Sequence, residues 1–222
     1  MSDDASHPGR RAHRHGNLRG ALLGAGVALA REGGPKAVVL REVTRRAGVV
    51  PNAAYRHFAN HQALFEAVRG VALSRLAHAI EAEIEPARSL GDARLRARAT
   101  FRGVGLGYLR FARREPGLFR TAFAARPFDV NEPRDDHDSM RGVSDANPFQ
   151  LLGDALDGMV DAGLMPPDHR AGAEWMAWSA VHGMAFLILN GPLRDQGEPR
   201  CQALAERLVA MVEQGLLAEP AT

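Results

Sequence analysis

Apolar residues recur at steps of three and four along most of this chain, in stretches that glycine and proline interrupt. Such steps place the apolar side chains on one face of an α-helix, whereas a half-buried strand needs strict alternation, which no stretch of convincing length shows. Alanine and leucine also greatly outnumber β-branched and aromatic residues, which favours helix over strand. We therefore predict an all-α chain of about nine helices.

Helix breakers and capping residues predict the bounds of the first four helices. The first starts near Leu18 and must end at residues 33–35, which are Gly-Gly-Pro. The second is very short and is stopped by Gly48, whose missing Cβ suits a left-handed backbone. Asn60 can cap the fourth helix, which continues to Pro86.

Five further helices are predicted in the rest of the chain. Pro116 closes the fifth, and a short sixth covers residues 118–125. Residues 126–146 show no apolar period and many turn residues, so they are predicted to form a loop. Asn147 can then cap the seventh helix and Asp168 the eighth, and a ninth follows near the end of the chain.

The second and third helices form an arrangement with which many proteins read DNA. Leu40–Ala47 would be the supporting helix, residues 48–50 the turn, and residues 51–57 a reading helix of about two turns that Pro51 begins. Two short helices joined by a glycine-containing turn can place the second one in the major groove. By periodicity alone, the same pattern is also common in small helical proteins that bind no DNA.

Positive charge is concentrated in the same part of the chain. The net charge is +2, but residues 1–61 carry 10 Lys and Arg against 4 Asp and Glu, whereas residues 62–222 carry 18 against 22. A basic N-terminal quarter suits a surface that meets phosphate. A disordered tail would produce part of this asymmetry, and residues 1–14, which lack apolar periodicity, are predicted to be a mobile basic arm.

Between residues 22 and 68 the chain contains the motif Arg-Glu-Val-(x3)-Ala-Gly-Val-(x5)-Tyr-(x)-His-Phe-(x5)-Leu-Phe. These spacings together resemble the DNA-binding domain of the TetR (tetracycline repressor) family. The resemblance implies a homodimer of all-helical subunits, in which three N-terminal helices bind operator DNA and the remainder binds an effector and dimerises. We accordingly predict a helix-turn-helix domain at 15–61 and an effector-binding and dimerisation domain at 62–222.

The resemblance also assigns roles on the DNA-binding face. Tyr55 and His57 match positions that hydrogen-bond phosphates, whereas Asn52, Arg41 and Arg56 match positions near base edges. Phenol and imidazole donors suit phosphate oxygens, Arg can pair with guanine and Asn with adenine. The predicted DNA-binding residues are Arg41, Pro51, Asn52, Tyr55, Arg56, His57 and His61.

Three positions depart from the family pattern. Val50 and Ala53 stand where a hydroxyl side chain is common, and His61 stands where a lysine often begins the fourth helix. Each change removes a phosphate partner, and a contact through His61 would depend on whether its imidazole is protonated. We predict a specific but salt-sensitive DNA binder. The basic residues predicted to compensate are Arg10, Arg11, Arg14, Arg45 and Arg46.

Later fragments resemble a TetR subgroup with a Trp-His-Gly signature in the eighth helix. They are the segments 108–112 and 115–119, and Trp178-(x3)-His182-Gly183. In that family the fourth to eighth helices enclose an effector pocket. Large apolar side chains with a few polar tips suit such a site, although aromatic residues are also common in a plain core. The predicted pocket residues are Tyr108, Phe111, Phe119, Phe123, Met159, Trp175, Trp178 and His182.

The imidazole of His182 could touch a ligand or be hydrogen-bonded to backbone, and the second alternative is slightly favoured.

Dimerisation has independent support, because a helix-turn-helix protein typically binds two half-sites one turn apart, which suits twofold symmetry. The apolar face of the ninth helix could instead cover the subunit's own core. The predicted interface residues are Gly183, Leu187, Leu204, Leu208 and Met211.

Other chemical signals are weak. The triplet Gly103-(x)-Gly105-(x)-Gly107 lacks a preceding strand, so it is interpreted as loosened helix and not as a phosphate loop. The acidic run 135–138 is interpreted as solvated loop, and the lone Cys201 as a small apolar residue on a helix face. No nucleophile-elbow motif occurs, so we expect no enzyme, cofactor or metal.

These observations predict a ligand-responsive transcriptional repressor that a small molecule releases from its operator. The expected partners are double-stranded operator DNA, a small-molecule effector and a second copy of the chain. No apolar run is long enough to cross a bilayer, so a cytoplasmic protein without a membrane partner is expected. The alternative is a small-molecule binding protein with the same fold and weakened operator binding.

Overall fold

A computed structural model of the chain describes residues 18–124 and 141–217. Within these two ranges it contains nine α-helices and no strand, which confirms the predicted all-α fold. The basic arm, most of the loop at 126–146 and the acidic run 135–138 lie outside the described residues. The helices are α1 (Leu18–Gly33), α2 (Leu40–Ala47), α3 (Pro51–Ala54), α4 (His61–Ile84), α5 (Ala93–Arg114), α6 (Pro116–Ala122), α7 (Pro148–Asp161), α8 (Ala173–Asn190) and α9 (Glu198–Leu217).

Local capping explains most of the helix ends. Gly48 ends α2 with a left-handed φ of 71°, as its position predicted. The Asn60 side chain accepts a hydrogen bond of 2.8 Å from the Ala63 N–H and begins α4. Asn147 begins α7 in a capping box with Gln150. These three sequence signals are therefore confirmed.

Three predicted helix bounds are wrong. The sixth helix, predicted over 118–125, begins at Pro116 and ends at Ala122. Asp168 does not cap α8: it lies in a short 3-10 turn, and α8 begins only after Gly172, which has a φ of 78°. Helix α3 ends at Ala54, and residues 55–57 form a turn instead of a second helical turn. At the start of α3, Val50 offers no side-chain acceptor, so the first N–H groups of this short helix lack the usual cap.

The long helices α4 and α5 form the centre of the body and pack closely along each other. A Cβ at Gly107 would lie 2.8 Å from the Ile80 Cα, and one at Gly103 would lie 2.8 Å from the Ile84 Cγ2. The glycine triplet therefore does not loosen α5, as the sequence had suggested. It lets the backbone of α5 approach α4, while Gly105 faces Val209 of α9.

The three N-terminal helices form a small head around a continuous apolar core. Leu22, Val43, Ala54 and Phe58 are buried there and pack together with the first turns of α4. Among the described residues, no helix is long and apolar enough to span a bilayer.

Candidate functional site

The predicted DNA-contacting side chains lie on the solvent-exposed side of the head. Arg41 on α2, Asn52 on α3 and residues 55–57 after α3 are exposed, and Tyr55 keeps 53% of its surface. Ala54 and Phe58, on either side of that turn, are buried. The buried pair holds the turn in place, so the exposed side chains between them are presented on a fixed support.

Two of the arginines that were expected to compensate for lost phosphate contacts already have carboxylate partners. Arg45 binds Glu42 through Nε at 2.9 Å, and Arg46 binds Glu32 through Nη1 at 2.7 Å. The hydrogen bonds to these arginines hold the pKa of Glu32 and of Glu42 below its usual range. A phosphate would have to compete with these carboxylates. Arg41 and Arg56 form no ion pair with any described residue.

His61 has an intramolecular partner that the sequence did not indicate. Its Nε2 lies 2.6 Å from the Val38 carbonyl oxygen, and since a carbonyl only accepts, the Nε2–H donates. The bond joins the start of α4 to the segment that precedes α2. Of the two imidazole nitrogens of His61, only Nδ1 is therefore left for the predicted phosphate contact.

A cavity of about 600 Å³ lies in the body, and its wall includes four of the predicted pocket residues: Tyr108, Phe123, Trp175 and Trp178. The volume is in the range of small-molecule sites. Phe149 and Trp175, which are 42% and 60% exposed, stand where the wall meets solvent.

Four predicted pocket residues do not line the cavity. Phe111 and Met159 are buried in the core. Helical spacing identifies the inward face of a helix, but it does not show whether a neighbouring helix fills the space in front of that face. Phe119 lies behind the wall, with its ring centroid 5.3 Å from that of Tyr108. His182 also lies behind the wall and binds Tyr108 through its side chain, not the backbone partner that the sequence analysis favoured.

Several wall residues were not predicted. Leu73 and Ile80 of α4 are seven positions apart, so they share a face, and this spacing could have indicated them. Phe149 follows the capping Asn147, and no sequence signal pointed to it. Val209 and Val212 show that α9 also forms part of the wall, which the family resemblance had described as enclosed by the fourth to eighth helices.

Tyr108, Trp178 and His182 form a polar cluster at this wall. The Trp178 Nε1–H donates to the Tyr108 hydroxyl oxygen at 3.3 Å, and that oxygen lies 2.7 Å from His182 Nδ1. Burial raises the pKa of Tyr108 well above its ordinary value and lowers the pKa of His182. Both groups are therefore uncharged at neutral pH, and the cluster joins α5 to α8.

Arg69 is the charged residue of the described cavity wall, and it has protein partners. Its Nε donates to the Ala122 carbonyl oxygen at 2.9 Å, and its Nη1 lies 3.2 Å from Glu66 Oε2. Both side chains of the ion pair are mostly buried. The guanidinium charge is thus matched by a carboxylate on the same helix, and Arg69 ties α4 to the end of α6.

A buried carboxylate holds the segment that leads into α7. Glu81 of α4 accepts hydrogen bonds from the Val143 N–H at 2.7 Å, the Ser144 N–H at 2.7 Å and the Ser144 hydroxyl at 2.6 Å. Burial opposes ionisation of Glu81, but these bonds outweigh it and hold its pKa below the ordinary value. The segment ends at Asn147 and Phe149, so Glu81 also positions one edge of the cavity.

Helix α6 lies between the cavity and the head. Phe123, directly after α6, forms part of the cavity wall. At the other end, Glu115 pairs with Arg31 of α1 through two bonds, Nε to Oε2 at 2.7 Å and Nη2 to Oε1 at 2.8 Å. A Cβ at Gly117 would collide with the Ala30 and Arg31 carbonyl oxygens. The backbone of α6 is therefore packed directly on α1.

Helices α8 and α9 leave an apolar face exposed. Met176, Phe186, Leu187 and Met211 are each more than 40% exposed, and a Cβ at Gly183 would have nothing within 4 Å. Of the predicted interface residues, Leu204 is partly exposed, whereas Leu208 packs against the subunit's own core. The interface prediction omitted Met176 and Phe186, although their spacing from Gly183 places them near it on the helix.

Two parts of the sequence match known protein families. Residues 22–68 match the bacterial regulatory proteins of the tetR family, and residues 101–212 match the tetracyclin repressor-like C-terminal domain. The chain belongs to the TetR family. Members of this family are transcription regulators, not enzymes, and they bind DNA and dimerise. This protein is accordingly a TetR-family transcription regulator with a helix-turn-helix DNA-binding domain.

Solved structures of other proteins share the fold of this TetR-family protein. A protein of unknown function from Rhodococcus sp. RHA1 is 23% identical with a TM-score of 0.69, over 96% of this chain and 100% of the other. A TetR-family regulator from Marinobacter aquaeolei VT8 is 19% identical with a TM-score of 0.58, over 90% and 97%.

A single-residue variant of TetR from Acinetobacter baumannii AYE, solved in complex with minocycline, is 16% identical to this TetR-family protein with a TM-score of 0.53. The match covers 90% of this chain and 98% of the other. At such identities the likeness concerns the fold alone. No curated protein matches the sequence.

Proposed function

We propose that this TetR-family regulator is a cytoplasmic, homodimeric repressor that leaves its operator when a small molecule occupies the cavity. Residues 15–61 form its DNA-binding domain, behind a basic arm at 1–14, and residues 62–222 bind the effector and dimerise. Membership in the subgroup with a Trp-His-Gly signature is proposed from the residues Trp178, His182 and Gly183.

The observation that carries the proposal is the position of α6 between the cavity and the head. A ligand that displaces Phe123 acts on the end of α6, and α6 is attached to α1 through Gly117 and the Arg31–Glu115 ion pair. Release then requires a ligand that binds more tightly to the arrangement of subunits in which the two heads do not fit the operator.

The DNA contacts of the proposed regulator come from Arg41, Asn52, Tyr55, Arg56 and His57. Gel shift with the DNA that flanks its own gene should give a sequence-specific complex that weakens as salt is raised. Arg41→Ala and Arg56→Ala should each weaken it about tenfold, by roughly 1 to 3 kcal/mol. Arg88→Ala, an exposed arginine far along the chain from the head, is the control. Equal affinity for unrelated duplexes would contradict the proposal.

The salt dependence of binding separates arginines that contact phosphate from those that do not. Removing a phosphate-contacting residue should reduce the slope of log affinity against log salt by about 0.9. We expect smaller changes for Arg45→Ala and Arg46→Ala, because Glu42 and Glu32 already neutralise these side chains.

Dimerisation is proposed to use the exposed face of α8 and α9. An apolar face of this kind suits a twofold interface, in which the same surface meets itself. Phe186→Lys should shift the protein from dimer to monomer in analytical ultracentrifugation. Leu95→Lys, at an exposed leucine of α5, should leave the dimer intact. A monomeric wild-type protein would refute this part of the proposal.

Coupling is tested through the ion pair that joins α6 to α1. Glu115→Gln should retain operator affinity but reduce the release caused by a bound ligand, because α6 is then less firmly tied to the head. Glu85→Gln, an exposed glutamate at the end of α4, is the matched control. Native mass spectrometry of the purified protein would identify any ligand that it carries.

The second candidate function is a small-molecule binding protein that has lost strong operator affinity. It is favoured by the uncapped start of α3 at Val50 and by the use of His61 Nε2 for Val38. The gel shift separates the two functions: a specific complex supports the repressor, and none even at low salt supports the binding protein.

A further inference from the structure

Six aromatic side chains line the described wall of the cavity: Phe101, Tyr108, Phe123, Phe149, Trp175 and Trp178. Ring centroids lie 5.8 Å apart for Trp175 and Trp178, 5.4 Å for Phe149 and Trp175, and 6.2 Å for Phe123 and Trp178. Tyr108 and Phe101 line the same space. Aromatic faces and edges at these distances favour contact with another flat ring, so the wall suits a planar aromatic molecule.

The described part of the wall offers no unmatched charge. Arg69 is its only charged member there, and Glu66 lies 3.2 Å from its Nη1. An anion would compete with Glu66 for that guanidinium, and a cation would find no carboxylate at the described wall. Because an unpaired charge is costly to remove from water, an uncharged molecule is favoured.

The cluster of Tyr108, Trp178 and His182 has one more donor hydrogen than it has bonds. The indole N–H, the phenol O–H and the single N–H of a neutral imidazole supply three hydrogens, whereas two hydrogen bonds join the three groups. If Tyr108 donates to His182 Nδ1, the His182 Nε2–H remains free. If His182 Nδ1–H donates to Tyr108, the Tyr108 O–H remains free.

The excess of one donor does not depend on which tautomer His182 adopts. Tyr108 and Trp178 line the cavity, whereas His182 stands behind Tyr108. A molecule that places an acceptor oxygen against Tyr108 therefore selects the arrangement in which the phenol O–H points to it. A molecule with only donors at that position would have to share the Tyr108 oxygen with the Trp178 N–H, which already donates to it.

We propose that the cavity takes an uncharged, planar aromatic compound that carries an acceptor oxygen, such as a ring carbonyl, and that this oxygen meets the Tyr108 hydroxyl. The proposal rests on the proposed function, in which a small molecule occupies this cavity. It adds the chemical class of that molecule and the residue that recognises its oxygen.

Two dyes with the same fused-ring skeleton test the class directly. Nile red is uncharged and carries a ring carbonyl, whereas Nile blue carries a positive charge and an amino group at the corresponding position. The anionic dye 1-anilinonaphthalene-8-sulfonate completes the series. In fluorescence titrations of the full chain without DNA, Nile red should bind at one molecule per subunit, about tenfold or more tightly than either charged dye.

The chain has two tyrosines, which provides a matched pair of variants. Tyr108→Phe should weaken Nile red about fivefold or more, as expected for one lost hydrogen bond, and leave Nile blue unchanged. Tyr55→Phe, in the exposed turn of the head, should change neither dye.

The dye titrations test the ligand class separately from the gel shift that tests the repressor. Failure of Nile red to bind, or tighter binding of either charged dye, overturns the proposed class using wild-type protein alone. Unchanged Nile red affinity in a folded Tyr108→Phe variant overturns the role of the hydroxyl. Because the titrations contain no DNA, a missing operator complex would overturn the repressor and leave this result intact.

Discussion

The Tyr108 hydroxyl oxygen lies 2.7 Å from Nδ1 of His182 and also accepts the indole N–H of Trp178 at 3.3 Å. Tyr108 belongs to α5, whereas the other two residues are four positions apart on α8. One hydroxyl group therefore binds two side chains of a neighbouring helix, and two members of this cluster, Tyr108 and Trp178, line the cavity. A ligand in contact with this cluster would act on both helices.

Removal of this hydroxyl should destabilise the fold. In Tyr108→Phe the Trp178 N–H and His182 Nδ1 both lose their partner, so the free energy of unfolding should fall by about 1 kcal/mol and the melting temperature by about 2 to 4 °C. Thermal unfolding followed by circular dichroism measures this. Tyr55→Phe, at an exposed tyrosine, should stay within about 0.5 kcal/mol of the wild type. Equal losses in both variants would contradict the role of the cluster.

Protonation of His182 should lower stability in mildly acidic solution. Burial lowers its pKa in the folded state, so below the ordinary value of 6.5 the unfolded chain takes up a proton that the folded protein does not. The stability that this difference supplies is complete above 6.5 and is lost as the pH falls from there through the lower pKa of the folded protein. Urea unfolding at pH 7.5 and 5.5 should therefore show a smaller difference for His182→Gln than for the wild type. If both proteins lose the same stability between pH 7.5 and 5.5, His182 is not the cause of that loss.

Glu81 should stabilise the segment before α7 most strongly above its ordinary pKa of 4.5. Its folded-state pKa is lowered, so its contribution is lost as the pH falls through the folded value. Glu81→Gln should cost about 2 kcal/mol, because hydrogen bonds to a charged acceptor are replaced by neutral ones. Limited proteolysis should then cut faster within residues 141–146. The exposed Glu85→Gln should leave both measurements unchanged, and equal cutting would refute the role of Glu81.

The contact between α6 and α1 should tolerate no side chain at Gly117. In Gly117→Ala the new Cβ meets the Ala30 and Arg31 carbonyl oxygens, so unfolding free energy should fall by about 1 to 3 kcal/mol. Gly24, within α1, has nothing within 4 Å of an added Cβ. Gly24→Ala should therefore raise stability by up to about 1 kcal/mol. Denaturant unfolding compares the two, and the same sign for both would contradict the packing.

Sequence signals were most reliable where the cause of the structure is local. Gly48 takes a left-handed backbone and the Asn60 and Asn147 side chains cap helices as predicted. Each of these features depends on contacts within about four residues. The prediction for Asp168 failed, because Asp168 lies in a short 3-10 turn and α8 begins after Gly172.

The cavity could be predicted only in part. Helical spacing placed Phe111 and Met159 on inward faces, but neighbouring helices fill the space in front of them. Conversely, Arg69 and Phe149 reach the wall from helices that are distant in sequence, and no local pattern marks them. The three glycines of α5 were misinterpreted, because they allow α4 and α9 to pack closely against α5, and the sequence does not show these neighbours.

The amino-acid sequence by itself determined the nine helices, the helix-turn-helix and the family, because helix bounds and short motifs depend on residues close together in the chain. The tertiary structure decided which aromatic side chains surround the cavity, how Tyr108 binds Trp178 and His182, and that α6 attaches the cavity to α1. These features depend on the space left between helices that are far apart in sequence, and that space exists only once the helices have packed.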